Sequence, residues 1–152
     1  MSVDERYERF DGRSSSAVSV ADVNGDGFGD IALGIPGEDI GDITDAGSVA
    51  LVPGSASGVT GAGTQTFHQD TAGVPGVAEN GDQFGASSAL LDLDGDGHTD
   101  LAAGSPAENS WNGAVWVLRG TATGLTATSS LAFGAGGPSA PATGARFGAL
   151  LR

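Results

Sequence analysis

The sequence predicts an all-β protein built from a four-stranded antiparallel unit that occurs twice. Three observations carry that prediction. The acidic stretches DVNGDGFGD (Asp22–Asp30) and DLDGDGHTD (Asp92–Asp100) recur 70 residues apart. Around them the chain aligns with itself without gaps, residues 16–36 on 86–106 and residues 47–60 on 113–126. Finally, apolar residues fall in short runs bounded by Gly, Pro, Asn and Asp, and no stretch sustains a helical period over three turns.

Each unit reads as four strands in the same order. The first is SAVSVAD or ASSALLD, the second DIALGI or DLAAGS, the third GSVALVPG or GAVWVLRG. The fourth is TQTFHQ (Thr64–Gln69) or SSLAFG (Ser129–Gly134). Length differences are confined to loops, the second unit being four residues shorter before its third strand and three shorter after it. Stacked units tolerate insertions there. The organisation is therefore a leading segment, residues 1–13, then units at 14–80 and 81–144, then the start of a third at 145–152. The leading VDERYERF is either one helical turn or a tag-like tail. The third start, ARFGALLR, parallels DQFGASSAL (Asp82–Leu90), whereas the first unit has Ser14 and Ser15 where the second has Phe84 and Gly85. A repeating four-stranded unit implies propeller blades, none of which buries its faces alone. Two blades do not close a ring, so further blades or further copies of the chain are expected beside them. The segment RFGALLR either adds a strand to a neighbouring blade or is simply where the sequence stops.

Composition excludes several classes. Of 152 residues, 19 are acidic and 6 basic, a net charge of −13. That is the wrong sign for nucleic acid or an anionic membrane surface. No apolar run approaches bilayer length, and the charged MSVDERYERF is no signal peptide. Without cysteine there are no disulfides, Cys-ligated zinc or thiol catalysis.

The acids are clustered as cation ligands would be. Counting from each first Asp, oxygen side chains stand at positions 1, 3, 5 and 9: Asp22, Asn24, Asp26 and Asp30, then Asp92, Asp94, Asp96 and Asp100. Gly27 and Gly97 at position 6 allow a sharp turn, and position 7, Phe28 or His98, offers its backbone carbonyl. Calcium takes about six to eight hard oxygen ligands, which suits this set better than magnesium's strict octahedron or zinc's nitrogen and sulfur. The pattern resembles an EF-hand loop through position 9, but position 12 is Leu33 or Ala103 and no flanking helices are legible. A turn that binds nothing is the bland alternative, and two copies of the same five-position pattern argue against it. Two calcium sites are expected, the Asp92 site tighter because it has four carboxylates against three.

With strands and loops placed, the residues resemble the FG-GAP repeat of integrin-like β-propellers. The resemblance rests on QFG (Gln83–Gly85), the acidic loops, the Gly-x-Pro elements GIP (Gly34–Pro36) and GSP (Gly104–Pro106), and GAVWVLRG. It covers nearly the whole chain from Ser14, and departs where Phe-Gly is missing at Ser14–Ser15, where both Gly-Ala-Pro elements have a changed middle residue, and where the third repeat stops. The resemblance implies a propeller of usually seven blades, calcium in hairpin loops on one face, and ligand contacts on the other. It implies an extracellular or cell-surface setting for a protein or glycan recognition module. The alternative is a structural accessory to a larger exported hydrolase. The Arg-only, Ala- and Gly-rich composition suggests, by association, a high-GC bacterial source.

No catalytic constellation is present. GSASG (Gly54–Gly58) has Ala at the centre of the nucleophile-elbow pattern, and GDGFG belongs to the acidic loop. His68 is expected on an outer strand surface without a partner. Trp116 alternates with Val115 and Val117 and is expected between blades. Trp111 is expected in a loop, where the connections Gly37–Ala46 and Ala107–Asn112 are the expected binding surfaces.

Overall fold

In the computed structural model, residues 18–135 and 143–151 are described. The segment 1–13 and positions 14–17 lie outside them, as do 136–142 and Arg152.

Among the described residues, eight strands form two antiparallel sheets. The first holds β1 (Val18–Ala21), β2 (Asp30–Ile35), β3 (Ser48–Val52) and β4 (Gln65–Phe67), in that order. The second holds β5 (Ser87–Leu91), β6 (Asp100–Ser105), β7 (Ala114–Thr121) and β8 (Gly124–Gly134), also in order. The expected four-stranded antiparallel blades are therefore present twice. Both acidic stretches close the first hairpin of their sheet, between β1 and β2 and between β5 and β6.

Two elements differ from the sequence reading. β8 starts at Gly124, five residues before the expected Ser129, because β7 and β8 continue pairing out to Thr121 and Gly124, past an irregularity between Val117 and Arg119. A four-residue helical turn, α1 (Glu108–Trp111), precedes β7, and Asn109, Ser110 and Trp111 all have positive φ of 51–68°. Successive left-handed non-glycine residues leave no periodic trace in sequence.

Ladder register sorts the side chains by face. In the first sheet Ala32, Val49, Leu51 and Phe67 share one face, here called leading. Val18, Val20, Ile31, Leu33, Ala50 and Val52 share the opposite, trailing face. In the second sheet Leu90, Leu101, Ala103, Trp116 and Leu118 form the trailing face. The core is the junction of the first leading face with the second trailing face, with Val23, Phe84 and Leu125 added to it. The Trp116 ring meets Phe84 edge-on at a centroid separation of 5.3 Å, and its indole N–H donates to the Pro75 carbonyl at 2.7 Å. Trp116 thus sits between the blades, as its alternation predicts, with its one polar atom satisfied.

The Phe-Gly motif is the clasp between blades. The Gln83 and Phe84 N–H groups donate to the carbonyls of Asp45 and Ala46, and Phe84 bridges Gly47 in parallel. Arg146 and Phe147 repeat the arrangement on Trp111, Asn112 and Gly113. Gly47 and Gly113 have φ of 85° and 81°, and a Cβ on either would collide with the incoming Phe carbonyl. The start of the third repeat is therefore seated on the second blade as the second repeat is seated on the first.

Candidate metal centre

Each acidic loop is curled around its first aspartate. Asp22 accepts hydrogen bonds from the N–H groups of Gly25 (2.8 Å), Asp26 (3.1 Å) and Gly27 (2.9 Å). Asp92 accepts from Gly95 (2.7 Å) and Gly97 (3.0 Å). Gly27 and Gly97 have φ of 87° and 88°, the conformation expected at position 6. Further along, Asn24 and Asp94 accept from the N–H of Asp26 and Asp96, and those aspartates accept from Phe28 and His98. The side chains at positions 1, 3 and 5 thus fold back onto the loop's own N–H groups, which fixes the turn.

The last aspartate of each loop has a second job. Asp30 and Asp100 are 1% exposed. Asp30 accepts from Val23 (2.8 Å) with one oxygen and from Gly54, beyond β3, with the other (2.9 Å). Asp100 makes the same pair with Leu93 (2.8 Å) and Gly120 (2.7 Å). Each carboxylate ties its loop to the neighbouring hairpin, and each oxygen keeps a second lone pair for a cation.

Asp92, Asp94 and Asp100 have carboxylate oxygens within 4.8 Å of one another. In the first loop position 3 is Asn24, whose amide donates to Asp26 at 3.1 Å, so one fewer carboxylate converges. The donor set is all oxygen and acidic, and it fits a hard divalent cation. Asp26 and Asp96 are exposed, and each accepts the backbone N–H of the residue two positions on, Phe28 or His98.

A residue that sequence reasoning missed alters this site. Arg119 forms an ion pair with Asp94. The equivalent residue in the first blade is Pro53. The second loop therefore has four carboxylates offset by one guanidinium, against three carboxylates in the first, and the charge count that favoured the Asp92 site no longer does. Twenty-five residues separate the partners, and only the alignment of Arg119 with Pro53, both just before a motif glycine, could have drawn attention to it.

The opposite end of the blades holds a second acidic group. Glu108, half-buried, has its carboxyl pushed up to about 7, first by burial, then by the charge of Asp82 beside it, with a hydrogen bond from Gln69 opposing the rise. That bond, Gln69 Nε2 to Glu108 Oε2, is 2.7 Å and joins α1 to the link between blades. Trp111 is exposed, as expected, with the Arg146 guanidinium 4.8 Å over its ring. His68, expected on the surface, is instead half-buried just past β4, where its backbone N–H donates to Thr71 Oγ1 and its ring Nδ1 is buried without a partner. The loops expected to bind ligands also carry the Phe-Gly clasps, so part of each is committed to holding the fold. Among the described residues no helix is long and apolar enough to cross a membrane.

Comparison with known proteins agrees with this architecture. The family model for the FG-GAP repeat matches residues 14–52 and 84–118. A phosphatidylinositol-glycan-specific phospholipase D of Bos taurus is 32% identical over 117 residues, 74% of this chain and 14% of that protein. Integrin alpha-3 of Cricetulus griseus is 35% identical over 95 residues, 62% of this chain and 8% of that protein. Integrin alpha-4 of Xenopus laevis is 32% identical over 112 residues, 73% of this chain and 10% of that protein. The chain thus spans less than a sixth of the length of these relatives.

Proposed function

Because this chain belongs to the FG-GAP repeat family of integrin-like β-propellers, we propose that it is a calcium-binding recognition module without catalysis of its own. The observation that supports it most is the convergence of Asp92, Asp94 and Asp100 in a loop whose design is repeated at Asp22–Asp30. Calcium would be held in the second loop by Asp92, Asp94, Asp96 and Asp100 with the His98 carbonyl. The first would use Asp22, Asn24, Asp26 and Asp30 with the Phe28 carbonyl. Bound there, the ion supplies charge neutralisation, and the chain's own residues do the rest by fixing the β1–β2 and β5–β6 turns.

Recognition falls to the other end of the blades, where Trp111 is displayed on a left-handed turn with Arg146 against it. An aromatic face beside a guanidinium suits a protein or glycan partner in an extracellular or cell-surface setting. The test is a thermal melt in calcium and in chelator, paired with calorimetric titration. Calcium is expected to raise the melting temperature, with about two ions bound per chain. An identical melt and no heat of binding would end the reading.

A further inference from the structure

Three of the four asparagines precede glycine: Asn24 before Gly25, Asn80 before Gly81 and Asn112 before Gly113. Asparagine in that position is chemically labile, because glycine has no side chain to hinder its nitrogen from reaching the amide carbon before it. The fold treats the three pairs differently. Asn80 accepts from the Thr44 N–H at 2.8 Å and Gly81 donates to the Thr44 carbonyl at 2.9 Å, which pins both to a loop 36 residues away in sequence. Asn112 accepts from the Gly144 N–H at 3.2 Å. Its neighbour Gly113 is buried against the Phe147 backbone and donates to the Glu108 carbonyl at 2.9 Å. In both pairs a backbone carbonyl holds the nitrogen that would attack, and a segment distant in sequence holds the amide oxygen.

Among the described residues, Asn24 and Gly25 are held only by their own loop. Asn24 Oδ1 accepts from the Asp26 N–H at 3.0 Å, its Nδ2 donates to Asp26 at 3.1 Å, and the Gly25 N–H donates to Asp22 at 2.8 Å. All three bonds are exposed and none spans more than three residues. Gly25 has open space around the position of a Cβ. Bonds of this kind are lost by local opening, far below the free energy of unfolding.

We propose that Asn24–Gly25 is a site of spontaneous deamidation, reached in the folded chain ahead of Asn80 and Asn112. The Gly25 nitrogen gives its proton to hydroxide and attacks Asn24 Cγ. The N–Cγ bond forms, the Cγ–Nδ2 bond breaks, and the leaving nitrogen takes a proton from water and departs as ammonia. Water then opens the cyclic imide. Cleavage at Cγ leaves aspartate at position 24. Cleavage at the Asn24 carbonyl carbon leaves isoaspartate, with the main chain running through Cβ and Cγ. Water and hydroxide are the only co-reactants, and no atom is oxidised or reduced.

The two products act oppositely on the loop. Aspartate reproduces Asp94 of the second loop, and Pro53 stands where that loop has Arg119, so no guanidinium offsets the new charge. Isoaspartate lengthens the backbone inside the turn that Asp22 holds and draws Gly27 away from it. The modification itself needs no metal, and only its effect on calcium rests on the proposed function.

The test incubates the chain at neutral and mildly alkaline pH, in chelator and in calcium, beside a sample unfolded in denaturant. Peptide masses are read after acidic digestion, which stops the reaction. A gain of about 1 Da is expected at Asn24, faster at higher pH and ahead of any gain at Asn80 or Asn112. Asn24→Gln is expected to remove it and Gly25→Ala to slow it severalfold, with circular dichroism checking that both variants fold. Asn24→Asp marks the elution of the aspartate product and so separates it from isoaspartate. An Asn24 that stays intact in the folded chain while the unfolded sample converts overturns the proposal. So does conversion of Asn80 or Asn112 in the folded chain as fast as Asn24, since the fold would then make no selection. Calcium is expected to slow conversion by drawing on the Asn24 amide oxygen. Equal rates with and without it count against calcium at the first loop and leave the modification site standing.

Discussion

The two blades share one backbone plan, yet three equivalent positions set them apart. The second blade has Trp116 for Ala50, Asp94 for Asn24 and Arg119 for Pro53. Trp116 fills the junction between the sheets, whereas Ala50 is a small buried residue on the first trailing face. Asp94 adds a carboxylate to the loop and Arg119 takes up its charge. The two repeats keep one hydrogen-bonding geometry, while packing and charge are set blade by blade.

The comparison breaks most readily at Trp116. Trp116→Ala is expected to cost about 3–5 kcal/mol of unfolding free energy in a denaturant titration, since it empties the junction and leaves the Pro75 carbonyl without its donor. The matching change Ala50→Gly is expected to cost about 1 kcal/mol, mainly by weakening the strand. Next come the two buried aspartates. Asp30→Ala and Asp100→Ala each orphan two backbone N–H groups, and each is expected to cost about 2–4 kcal/mol even in chelator. A cost seen only with calcium present would make these residues ligands and nothing more.

Smaller effects sharpen the contrast between loops. Arg119→Ala is expected to tighten calcium at the second loop by about fivefold, read by calorimetry, because an exposed pair of up to about 1 kcal/mol no longer competes for Asp94. The same substitution leaves the first loop unchanged. The last effect is the titration of Glu108, which acts on stability only through pH. Its carboxyl is raised from 4.5 to about 7, so the folded chain keeps a proton there that the unfolded chain has lost. Its contribution to stability is therefore full below about pH 4.5 and declines as pH rises toward 7. Glu108→Gln is expected to flatten that part of the stability profile, and an unchanged slope would place the proton elsewhere.

Much of this molecule was legible in its sequence, for physical reasons. The strands show as short apolar runs, because both faces of each sheet carry apolar residues. The loops show as Asp at alternate positions with Gly where φ must be positive. Trp116 follows from strand alternation. What was not legible depends on distance along the chain. Arg119 reaches Asp94 across the β6–β7 pair, and Glu108 meets Gln69 and Asp82 only once the link between blades has folded over α1. His68 looked exposed because its strand alternates weakly, and the turn at Asn109–Trp111 uses residues with no left-handed signature except Asn.

The Phe-Gly clasp has a consequence for how such an array is inherited. Because Phe84 begins the second repeat yet is seated on Gly47 of the first blade, the boundary in sequence falls inside the contact between blades. Tandem duplication of a gene segment cut at that boundary delivers a new unit with its hook and its eye together. No compensating mutation is needed in the older neighbour, and an array of this kind lengthens by recombination before selection has refined any new surface.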